Sequence, residues 1–216
     1  MVIITVRGES KARVAPERAR VHVTARTDGS DRAKVLDALG AISNPLRSGL
    51  ESRQDAGSIA EWTSARMSVH AERPWNNEGK RLAPVYHASI DFTATFEDFS
   101  ELSLWVTEIS GNEGVEVGHV DWHLTPETQN SLEQEVATEA IHVAVRRAEA
   151  YAAALGRNKV TPISIADQGL LQAKESAAPM MMRAMAADSF GGGAEMSYQP
   201  GEIVVSATVE AQFSAS

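Results

Sequence analysis

Chemistry in this chain would have to come from histidines and carboxylates, because it contains no cysteine to act as nucleophile or thiolate ligand. One arrangement sets metal-ligand residue types at regular spacing: His119, Asp121 and His123 occupy alternate positions. Alternate residues of a strand share a face, and imidazole and carboxylate both ligate divalent metals, so the chemistry on offer is metal binding or metal-dependent hydrolysis. Distance along one strand works against it. Same-face neighbours stand about 6.7 Å apart, whereas nitrogens on one zinc must converge to within roughly 3.5 Å. Further ligands would have to come from a neighbouring strand, about 5 Å away. His22, His70 and His87 each fall on the polar side of an alternating segment and could supply them. Because the candidates His119, Asp121 and His123 lie too far apart along one strand, the protein is expected to carry no stoichiometric metal, and no cofactor.

Other patterns offer less. The run Gly191 to Gly193 has no lysine after it and no strand-to-helix setting, so it lacks what holds phosphate in a nucleotide loop. No Gly-x-Ser-x-Gly elbow exposes a serine. Glu133 and Glu135 read as the solvated face of a helix. Trp62 and Trp75 would suit a small-molecule or lectin-like site if exposed. No catalytic residue is assigned.

The elements that must position these residues are written as alternation of apolar and polar side chains, the mark of a half-buried strand. Val21, Val23 and Ala25 oppose His22, Thr24 and Arg26; Met67, Val69 and Ala71 oppose Ser68, His70 and Glu72. The pattern is longest over Tyr86 to Phe96. It returns where Val120, Trp122 and Leu124 oppose His119, Asp121 and His123, and again over Glu202 to Phe213. One-sided alternation predicts a largely antiparallel sheet covered on one face by helices. Three helices are expected. The first spans about 31–54, with Asn44 and Pro45 kinking or dividing it. The second spans about 99–109. The third spans about 126–155, with Thr125 as N-cap, Pro126 at its first position, Gly156 as stop, and a stripe of Leu132, Val136, Ala140, Val143, Tyr151 and Leu155. The order is two strands, helix, two strands, helix, strand, long helix, strand, excursion, strand: an α+β fold in a single domain.

Between about 168 and 199 periodicity fails, and methionines gather with Phe190 and the glycine run. Met180, Met181, Met182, Met185 and Phe190 are candidate contacts for another copy of the chain. The terminal strand carries no Lys or Pro, so at a sheet edge it would be weakly protected.

The net charge of −9 repels phosphate backbones, which excludes nucleic acid as a partner. No apolar run approaches the roughly 18 residues of a membrane span, and no signal-peptide pattern opens the sequence, so the chain as given is expected to be cytoplasmic.

The segments "VRGES", "APERARVHV", "RRAEAYAAALG" and "QPGEIVVSATVEAQF", in this order and spacing, resemble the SIMPL domain family. That family was first grouped as a domain of unknown function and includes a bacterial periplasmic immunogenic protein. The resemblance implies an α+β domain prone to homo-oligomeric, ring-like assembly, with no established enzymatic activity, no cofactor and no catalytic residues. It also implies periplasmic export for many members. Together with the methionine cluster it predicts a non-enzymatic, self-assembling scaffold or binding module, the alternative being a metal-dependent hydrolase that uses the His-rich sheet face.

Overall fold

The expected order of elements is the observed one. A computed structural model describes residues 1–171 and 198–216 and runs β1 (Val2–Val14), β2 (Arg18–Gly29), α1 (Arg32–Asp55), β3 (Ile59–Glu72), β4 (Val85–Phe96), α2 (Phe99–Ser110), β5 (Val115–His123), α3 (Pro126–Ala154), β6 (Val160–Asp167) and β7 (Ile203–Ala215). The candidate contacts Met180, Met181, Met182, Met185 and Phe190 lie outside the described residues. The fold is α+β and every strand pair is antiparallel, but the strands divide between two sheets, and the chain between two compact units.

In the unit built around residues 16–123, the sheet order is β3-β4-β2-β5. Each helix joins two strands with a third lying between them, which is the split β-α-β pattern used twice. Asp31 caps α1 by accepting from the amides of Ala33 and Lys34, and Asp98 caps α2 by accepting from Ser100 and Glu101. The apolar side of the alternation packs on these helices: Val21, Val23, Phe92 and Phe96 meet Leu39, Leu50, Leu102 and Trp105. Trp105 lies tilted against Phe96 at 5.6 Å between ring centroids. The opposite face is therefore polar. It sets Arg20, His22, Thr24 and Arg26 in register with Thr95, Thr93, Asp91 and Ser89. Pro45 does not divide α1, which continues through it. Pro45 and Ala41, whose carbonyl loses its donor, both lie on the exposed side, where water can satisfy that oxygen.

In the other unit the sheet order is β1-β7-β6. The terminal strand is thus central, and β1 and β6 form the edges. Its whole length pairs with β1, from Val2 opposite Ala215 to Val14 opposite Ile203, and that long partner removes it from the edge. Thr125 caps α3 and Pro126 opens it, as expected. The buried stripe of α3 differs from the expected one. It is Val136, Ala140, Ala144, Ala148 and Ala152, while Tyr151 and Leu155 are exposed. The reason is a close approach to β1: a Cβ on Gly8 would collide with the Ala140 carbonyl oxygen and the Ala144 amide nitrogen. Only small residues allow backbones so near each other, so the helix turns its alanines inward.

Candidate functional site

The polar face of the four-stranded sheet brings three metal-ligand side chains together. Val21 pairs with Val120 and Val23 with Val117, so His22 alone on β2 faces both Gly118 and His119 on β5. Val117 and Val120 are three residues apart yet both pack against the helix-covered core. A regular strand cannot do this, because its side chains alternate with a period of two. The bulge absorbs the odd residue and delivers His119 and Asp121 to the outer face beside His22. Gly118 suits the bulge, since a Cβ there would press on the His22 carbonyl oxygen at 3.1 Å.

Asp121 Oδ2 lies 3.2 Å from His22 Nε2 and 3.2 Å from His119 Nε2. The two imidazoles stack, 4.6 Å between centroids. On the far side of His22, Nδ1 is 3.4 Å from Thr93 Oγ1. Arg20 lies directly opposite Asp121 in the ladder but turns the other way, reaching Thr95 Oγ1 and Glu61, each at 3.3 Å. Among the described residues, the side chains within ion-pairing distance of the Asp121 carboxylate are the two histidines.

The expected trio His119, Asp121 and His123 is therefore brought together only in part. The His123 ring turns back on its own strand, with Nδ1 3.3 Å from the Asp121 carbonyl oxygen. His22 takes its place, because a cross-strand neighbour stands closer than the next same-face residue along a strand. Alternation put His22 on the polar side but said nothing of which strand lies beside it. The odd spacing of Val117 and Val120 around Gly118 was the available sign of a bulge.

Thr93, His22 and Asp121 form a hydroxyl–imidazole–carboxylate chain, the order of parts found in nucleophilic hydrolases. The surroundings do not complete it. Thr93 sits mid-sheet, paired with His22 on one side and Thr63 on the other. A hydroxyl held in mid-strand is not presented at a turn or a helix N-terminus, where backbone donors for an oxyanion are gathered.

A second pair, His70 and His87, stacks at 5.2 Å, with Glu72 at 3.9 Å from His87 Nε2. These residues line an open cleft of about 890 Å³ with Arg26, Asp28 and Glu113. Trp75 is exposed with Arg81 over its ring at 4.9 Å, whereas Trp62 packs against the core. The two tryptophans do not form one aromatic site.

The three-stranded sheet presents a different kind of surface. Between α3 and β6 lies a mainly apolar groove of about 340 Å³, lined by Ile141, Val145, Val160, Ile163, Ile165 and Phe213 among others. Ile163 and Ile165 are more than half exposed. The helix covers β1 and β7 and leaves β6 nearly bare.

A family model described as "SIMPL: Protein of unknown function (DUF541)" matches residues 4–213. A comparison with curated proteins finds no match.

Proposed function

The chain belongs to the SIMPL family, whose function is unknown, and from that premise we propose that it is a non-enzymatic module that self-assembles through β6, which has no strand beyond it among the described residues. The observation that carries this reading is the exposed apolar strand itself. Ile163 and Ile165 stand on an edge strand beside a groove that continues the apolar surface onto Ile141 of α3. Edge strands offer unpaired backbone groups and are normally blunted by charge or proline. Pro162 removes one donor, but from Ile163 to Ala166 the strand carries no charge at all. A second copy is the natural occupant, because a two-fold contact would bury the same apolar strand of both partners at once. The incomplete Thr93–His22–Asp121 chain supports the non-enzymatic part of the reading.

Light scattering tests the proposal. The expected mass is a multiple of 23.2 kDa, falling to that of one chain when Ile163 and Ile165 are both changed to Asp, with the circular dichroism spectrum retained. A wild-type mass that stays at 23.2 kDa over about a hundredfold range of concentration would overturn it.

A further inference from the structure

We propose that His22, His119 and Asp121 form a binding site for a divalent first-row transition-metal ion such as Zn²⁺. The donor set is two imidazoles and one carboxylate, which suits zinc, nickel and copper in their divalent states rather than calcium or magnesium. The three donor atoms lie within 4.8 Å of one another, and both histidine-to-carboxylate separations are 3.2 Å. Tetrahedral zinc with ligands at about 2.0–2.1 Å needs donors roughly 3.4 Å apart. Only the two imidazole nitrogens have to close up, and the His119 side chain, 72% exposed, is free to rotate toward His22.

Two further features favour a cation here. Arg20, the one guanidinium facing Asp121 across the ladder, is committed to Glu61 and Thr95, so among the described residues no Lys or Arg pairs with this carboxylate. Thr93 can accept the Nδ1 proton of His22, and that tautomer leaves the Nε2 lone pair aimed at the space beside Asp121 Oδ2. Metal-bound histidines commonly have their second ring nitrogen held in this way. The β5 bulge is what assembles the set, since without it His119 and Asp121 would not reach the face that His22 occupies while Val117 stays in the core. Three protein ligands leave one position open to water or to a donor from another molecule.

Calorimetric titration of the tag-free full-length chain with zinc chloride tests the site. One Zn²⁺ per chain is expected, with affinity reduced more than about tenfold in His119→Ala and in Asp121→Asn. His123→Ala and His70→Ala should bind as the wild type does. Because His119 is exposed, its removal should leave the circular dichroism spectrum unchanged, which separates loss of metal from loss of fold. Absence of saturable binding, undiminished binding in His119→Ala, or loss of binding in His70→Ala would each overturn the proposal.

Discussion

Asp121 and Tyr198 illustrate how single residues acquire properties from neighbours remote in the chain. Asp121 is one of the chain's 29 acidic residues, yet the turn of Arg20 toward Glu61 and the arrival of His22 leave it with two imidazole nitrogens at 3.2 Å. Tyr198 packs beside Trp122 at 5.9 Å between ring centroids, and burial pushes its phenol above the ordinary value of about 10. The sign follows from which state holds the proton longer. With the folded value raised, the unfolded chain ionises first, so the contribution to stability is complete below the unfolded phenol value and is lost as pH rises through the folded one. The urea midpoint of the wild type is therefore expected to fall more steeply than that of Tyr198→Phe between about pH 9 and about pH 11. Equal losses in the two proteins would remove Tyr198 from the account.

Two elements show propensity and packing in competition. α1 holds Pro45 in its interior at a cost, because the ring removes a donor and crowds the preceding turn. Replacing it with Ala restores the bond to the Ala41 carbonyl, offset by a gain in unfolded-state freedom of about 0.4–1 kcal/mol. The expected outcome is a stability increase of about 1–3 kcal/mol, read from urea denaturation at an unchanged slope. A decrease would mean that the proline fits a bend on which the helix depends. In α3 packing decides. The alanine ridge lies against β1 at Gly8, and Gly8→Val forces helix and strand apart where backbone meets backbone. The expected cost is about 1–3 kcal/mol or more, visible as a lowered thermal midpoint. A variant as stable as the wild type would show that the approach is looser than the close packing requires.

At the scale of the molecule, the paired β1 and β7 come from opposite ends of the sequence, with the whole β2 to β5 unit lying between them in the chain. Pairing over such separations is formed against a large loop entropy, so this sheet is expected to depend on long-range contacts more than on local propensity. Assembly through β6 is the prediction that belongs to this scale. The charge of −9 opposes it, but at about 0.15 M salt the screening length is roughly 8 Å, which leaves diffuse repulsion weak beside an apolar contact. The oligomer is accordingly expected to strengthen as salt is raised. Dissociation on adding salt would point to ion pairs rather than Ile163 and Ile165 as its basis.

Element order, the α+β class, the Thr125–Pro126 start of α3 and the polar sides of β2, β4, β5 and β7 were legible in the sequence, whereas in β3 the expected inward residues Met67 and Ala71 are exposed. Each is local information: a cap is read within four residues, and alternation reports the face of a strand whatever lies beside it. Strand neighbours are not local. That β7 would be central, that the strands would divide into two sheets, and that His22 rather than His123 would join His119 and Asp121 depended on pairings between distant segments. The stripe of α3 belongs to the same class. Its larger apolar residues were the natural choice for a buried face until Gly8, more than a hundred positions earlier, provided a surface against which only alanine fits. Tertiary structure alone decided these points, because register and close approach are set by the partner, and the partner is chosen by the packing of the whole chain.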